Sequence, residues 1–181
     1  IVILGGVRDF HAMDWYRAVR RVCPEREVIF ISDLFSGEGY ADLSKPGDNI
    51  YPLVIIDKFL FSTQSQYANI WRNLVKLVLL PVQAIRLRRI LEKYPHSIVH
   101  AHPMYYMALC FLARVKYIGT PQGDEILIRP RRSRVYSFFA EKVLKSATAL
   151  VVDSLQMKEG IKSITGVNAY VFTCYLQGLA F

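Results

Sequence analysis

The chain has 181 residues, is 52% hydrophobic and 21% charged, and carries a formal net charge of +8. That length and apolar share suit one folded domain and exclude a disordered chain. The positive excess points to an acidic partner, whether phosphate, diphosphate or an anionic membrane face. The lack of zinc-finger spacing or an RNA-binding aromatic signature argues against nucleic acid.

Cys23, Cys110 and Cys174 are far apart and show no metal or redox-motif spacing. A reduced, cytoplasmic setting with inert buried thiols is therefore expected, with no metal and no cofactor. The apolar run from Leu74 to Ile85 is too short for a bilayer and is interrupted by Lys76 and Pro81.

Ile1-Val2-Ile3-Leu4 reads as a buried parallel strand, followed by a turn at Gly5-Gly6. Asp9 is placed to cap a helix whose apolar face would be Ala12, Trp15, Val19 and Val22, ending at Pro24. Val28 to Ile31 forms a second strand. Ser32 to Gly47 reads as a long surface loop, and Tyr51 to Asp57 as a third strand. A long helix from about Tyr67 to Tyr94, kinked at Pro81, would set Leu87, Ile90, Leu91 and Tyr94 on one face and Arg86, Arg89 and Lys93 on another.

Ser97 to Ala101 makes strand four. Pro103 opens a helix at its first position, and Tyr105 to Ala113 is apolar all round and so buried. Tyr117 to Thr120 is strand five, and Pro121 to Arg132 reads as a loop. Ser133 caps a helix with face Val135, Phe138, Phe139 and Val143. Leu150 to Val152 is strand six, Ser154 caps another helix, Gly166 stops it, and Tyr170 to Cys174 closes the series. Strands alternating with helices, with no linker or repeat, predict one α/β domain over 1–181: a doubly wound, mostly parallel, Rossmann-like sheet.

Polar groups at the ends of such strands are the candidate site. Gly5 and Gly6 allow backbone N–H groups to approach a diphosphate, and Arg8 stands ready to add charge; a plain tight turn is the competing explanation. His100 and His102 share one side of strand four, with no third ligand to make a metal site. Gln122, Gly123, Asp124 and Glu125 follow strand five. The acids can accept bonds from hydroxyls or act as a base, or can simply cap a helix. Arg129, Arg131, Arg132 and Arg134 suit a phosphate or an anionic leaflet, and as a charge run also suit a solvated loop. Together with Arg72, Lys76, Arg86, Arg89 and Lys93 they offer a basic patch worth about 1 kcal/mol per residue beside an anionic leaflet. Ile70, Trp71 and Leu74 can dip into that interface or belong to the core.

In order, these pieces resemble the N-terminal domain of a GT-B-fold, family 4 type retaining glycosyltransferase. Gly5-Gly6 is similar to that family's glycine turn. Ile98 to His102 resembles its D-[IV]-[VI]-H-x-H segment, with Ser97 for Asp. Thr120 to Glu125 resembles its T-x-H-G-x-[DE] loop, with Gln122 for His. Ala147 to Ser154 resembles A-D-x-[VI]-[IV]-x-x-S, with Thr148 for Asp. Gln177-Gly178 and Phe181 resemble the hinge signature. The resemblance implies transfer of a sugar, with retention, from a nucleotide-sugar donor to a glycan or lipid-linked acceptor, as in cell-surface polysaccharide or glycoconjugate synthesis. It implies that His102 faces the cleft and, with Asp124, serves the reaction. Gly5, Gly6, Arg8, His100, Gln122, Gly123 and Glu125 would then line the substrate. It also implies a separate C-terminal donor-binding domain, without which 1–181 would be inactive.

Two other classes stand beside this one. The charge and the Trp71 helix also suit a non-catalytic peripheral module for an anionic membrane's inner face. A nicotinamide-dependent enzyme fits less well. The glycines do not match G-x-G-x-x-G, and Ser32-Asp33 falls later than the fingerprint's ribose-binding acid.

Overall fold

The computed structural model describes residues 1–7, 9–33, 47–53 and 66–172. Seven parallel strands run β1 (Val2–Leu4), β2 (Ile29–Ser32), β3 (Ile50–Pro52), β4 (Val99–Ala101), β5 (Ile118–Gly119), β6 (Ala149–Val152) and β7 (Tyr170–Val171). Their order in the sheet is β3-β2-β1-β4-β5-β6-β7. The chain thus winds outward from β1 in one direction and from β4 in the other. The expected doubly wound α/β fold is present, with its switch point between β1 and β4.

The helices are α1 (Phe10–Val22), α2 (Gln66–Leu91), α3 (Met104–Ala113), α4 (Gly123–Leu127), α5 (Arg129–Arg132), α6 (Arg134–Ser146) and α7 (Leu155–Thr165). Every residue of β1 and β2 is buried, as central parallel strands require. Strand alternation divides the core between the two faces. Ile3 and Phe30 pack with Ala12, Met13 and Tyr16 of α1. Val2, Leu4, Ile29 and Ile31 join the larger core of α2, α3, α6 and α7 on the opposite face. Register pairs Ile3 with Phe30 on one side and with His100 on the other, so β4's histidine lies beside the central strand.

Asp9 caps α1, its Oδ1 accepting from His11 N at 3.0 Å. Ser133 and Ser154 cap α6 and α7 in the same way. Gly166 ends α7 at φ 72°, a conformation that favours glycine. Gly5 answers a different need: a Cβ there would sit 2.9 Å from Ala12 Cβ and 3.1 Å from the Phe30 ring. Its missing side chain is what lets α1 lie close on the sheet.

Several expectations need correction. Pro121 to Arg132 is not a loop: α4 and α5 form there, because a Gln122–Glu125 capping box and a proline at the start of α5 supply helix-start chemistry. The core face of α1 is Ala12, Met13 and Tyr16, while Trp15 and Val22 are exposed. The face of α6 also rotates. Ala140, Val143 and Leu144 are buried, whereas Val135 is 82% exposed and Phe138 64%. In both helices the apolar residues outnumber those one face can bury, so periodicity alone selects the wrong set. Pro103 is the N-cap of α3 rather than its first residue. The expected loop across 34–46, strand residues 54–57, Arg8, Cys174, Gln177, Gly178 and Phe181 lie outside the described residues.

Candidate functional site

The carboxyl ends of β1, β4 and β5 converge at the switch point. From β1 the chain turns through Gly5 and Gly6 into Asp9. From β4 it passes His102 and the cis His102–Pro103 peptide into α3. From β5 it passes Thr120 into Gln122, the N-cap of α4. Sequence positions 9, 102, 120 and 122 are thereby brought together.

His102 is the hub. Its Nδ1 lies 2.7 Å from the Thr120 carbonyl oxygen and its Nε2 lies 3.3 Å from Asp9 Oδ2. A carbonyl and a carboxylate only accept, so both ring nitrogens satisfy their neighbours only when both carry protons. The Asp9 contact is an ion pair rather than an aligned hydrogen bond, and Nε2 is shielded from solvent. Burial pushes the His102 pKa down. The Asp9 carboxylate, the Thr120 carbonyl and the Glu125 charge outweigh it and raise the pKa above the usual histidine value. Asp9 answers in kind: burial raises its pKa, but His102 and the N–H groups of His11 and Ala12 hold it below the usual range. Gln122 Nε2 also donates to Asp9 Oδ2 at 3.4 Å. The arrangement is an ionised carboxylate paired with His102 at the carboxyl ends of β1 and β4, where the strand order reverses. Such a carboxylate accepts hydrogen bonds from hydroxyl groups.

His100 plays a different part. Its Nε2 meets the Thr120 hydroxyl at 2.7 Å, and its ring stands edge-on to Trp15 with centroids 5.5 Å apart. Burial, helped by the charge of His102, lowers its pKa to about 4, so it is neutral at physiological pH. One residue, Thr120, thus fixes both histidines, one through each of its oxygens.

The acidic loop divides its labour. Glu125 is buried, and its Oε2 accepts from Met104 N and from Gln122 N, each at 2.9 Å. One carboxylate therefore ties the starts of α3 and α4 together. Burial raises its pKa, against the pull of those two N–H groups and Arg129. Asp124 is engaged by Arg129, whose Nη2 and Nε lie 2.7 and 2.9 Å from its Oδ2. Arg129 also approaches Glu125 Oε1 at 3.9 Å, so this arginine is spent on the loop's own acids. Arg131, Arg132 and Arg134 are exposed. Gly123 and Gly6 both have room for a Cβ, with nothing nearer than 3.8 Å. Of the two turn glycines, Gly6 could take a Cβ at ordinary contact distance, and Gly5 is taken up by packing.

A second polar cluster adjoins the crevice and was not visible in the sequence. Asp33 follows the last residue of β2, at the strand end where the sequence places it. This carboxylate is already occupied: Tyr106 donates its hydroxyl to Oδ1, and Lys76 Nζ lies 2.7 Å from Oδ2. Lys76 also sits 4.6 Å from the Tyr105 ring centroid, and Tyr105 donates to Gln83. The cluster locks α2 to α3 and β2. No signal in one sequence pairs positions 33, 76 and 106. Among the described residues no three His, Cys, Asp or Glu side chains gather as a metal site.

The chain matches no known family model and no curated protein.

Proposed function

We propose that this chain is the acceptor-side domain of a glycosyltransferase, and that its switch-point crevice takes a hydroxyl-rich acceptor, a glycan or a lipid-linked sugar. The observation that carries the reading is the Asp9–His102 pair at the meeting of β1, β4 and β5. A carboxylate kept ionised accepts a bond from an acceptor hydroxyl. The imidazolium behind it balances the charge and, through Thr120, fixes its aim. In this role Asp9 is the binding group and His102 the positioning residue. Gln122 and Gly6 lie beside Asp9. The motif order that resembles family 4 transferases supports the reaction class. By that resemblance the nucleotide-sugar donor is held by a separate domain.

The test is nucleotide release by a protein that joins this chain to its donor half, supplied with nucleotide sugars and acceptors. Acceptor-dependent release is expected, and Asp9→Asn should cut it about 100-fold, as loss of orientation at a reacting group does. Release that never depends on acceptor would overturn the reading.

A further inference from the structure

We infer that the outward face of α2 docks on an anionic lipid bilayer. This 26-residue helix is apolar on two opposite sides. Its inner side carries Leu87 and Leu91 into the core and is pinned by two polar anchors. Lys76 pairs with Asp33 at 2.7 Å, and Gln83 accepts from Tyr105. Those anchors fix the helix's rotation, so its other side cannot turn inward.

That other side carries Trp71, Leu74, Val78, Val82 and Ile85, spaced at three and four residues, hence one continuous stripe. Trp71 is 63% exposed and Val78 71%. An apolar stripe of this length on a surface helix marks an interaction face. The charge pattern selects its occupant. Residues 66–91 contain no Asp or Glu, and apart from Lys76, which is spent on Asp33, their cations are Arg72, Arg86, Arg88 and Arg89. The last three close the stripe at its C-terminal end and are exposed. An exposed Trp and aliphatic stripe flanked by Arg86 and Arg89, with Arg88 paired to Glu92 at 3.6 Å, is the composition of a helix lying in a lipid headgroup layer. No helix among the described residues is long and apolar enough to cross a membrane, so the contact is with the surface. Helix α6, in the same layer beyond α3, adds exposed Val135 and Phe138 beside Arg131, Arg132 and Arg134. The inference does not depend on what the crevice binds, and vesicle binding needs neither acceptor nor transfer.

The test is co-sedimentation with phosphatidylcholine vesicles, with and without phosphatidylglycerol, at low and high salt. Binding to the anionic vesicles, weakened by salt, is expected. Arg86→Glu/Arg89→Glu should weaken it at least about tenfold. In a Trp15→Phe protein, which leaves Trp71 as the one remaining tryptophan, emission should shift to shorter wavelength on anionic vesicles. Val78→Asp should abolish the binding with its circular dichroism intact. If that variant does not fold, the arginine variant and the Trp71 emission decide the matter alone. Absence of binding, binding equal on neutral vesicles, or an unchanged arginine variant would overturn the inference. So would a dimer that Val78→Asp dissolves in the absence of lipid, because a second copy would then own the face.

Discussion

His102 Nε2 lies 3.3 Å from Asp9 Oδ2, joining the first residue past β4 to the cap of the first helix across 93 positions of chain. Both side chains are largely buried, at 16% and 20% relative exposure. Removing the imidazole therefore leaves a carboxylate that water solvates poorly. His102→Ala should cost about 1–3 kcal/mol, measured by urea unfolding at pH 6. His102→Gln, which can still donate to Thr120, should cost less.

The same pair sets a pH dependence. The folded state raises the His102 pKa, so this contribution is complete below the unfolded value of 6.5 and is lost as pH climbs through the raised one. Asp9 is shifted down, so its contribution is present above 3.8 and lost as pH falls through its folded value. The stability difference between wild type and His102→Gln should therefore shrink from pH 6 to pH 9. A constant difference would mean that the ring is not charged in the fold.

His100 works in the opposite direction. Its pKa falls from 6.5 to about 4 on folding, so protonating it opposes the fold. Acidification from 6.5 to 4 should remove about 3 kcal/mol through this residue alone. His100→Gln should flatten that limb of the stability profile, read by urea midpoints across the same pH range.

The buried polar anchor of α2 invites a paired substitution. Lys76→Met removes the cation paired with the buried Asp33 carboxylate and should cost about 3 kcal/mol or more. Lys76→Met/Asp33→Asn should recover much of that loss. Equal damage in the single and the double variant would show that the ion pair is not what holds the helix.

The two turn glycines should separate cleanly. Gly5→Ala drives a Cβ into Ala12 and Phe30 and should cost about 1–3 kcal/mol. Gly6→Ala makes only ordinary contacts, with Asp9 and the Tyr106 hydroxyl at 3.8–4.0 Å, and should change thermal stability little.

How legible this was in the sequence depended on the kind of signal. Strands β1, β2, β4 and β6 are short runs of branched apolar residues and were readable, as were the caps Asp9, Ser133 and Ser154, because each rests on local chemistry. The core faces of α1 and α6 were misassigned in part, because Trp15 lies against His100 and Phe172, partly exposed, and Phe138 and Val135 are apolar yet exposed. Only packing reveals which stripe is used. In the site, His102 and the loop at Gln122 were recognisable as strand-end polar groups. Asp9 was visible only as a helix cap, and its pairing with His102 is a property of the β1/β4 adjacency. The Asp33–Lys76–Tyr106 cluster joins three elements and has no local signature.

The most direct test of the central claim is acceptor-dependent sugar transfer by the donor-competent protein carrying Asp9→Asn or His102→Gln, with circular dichroism confirming the fold. The account predicts a fall of about 100-fold in both variants, with Asp9→Asn raising the acceptor KM and leaving the donor KM unchanged. Wild-type rates in both would contradict it and remove the switch-point crevice as the acceptor site.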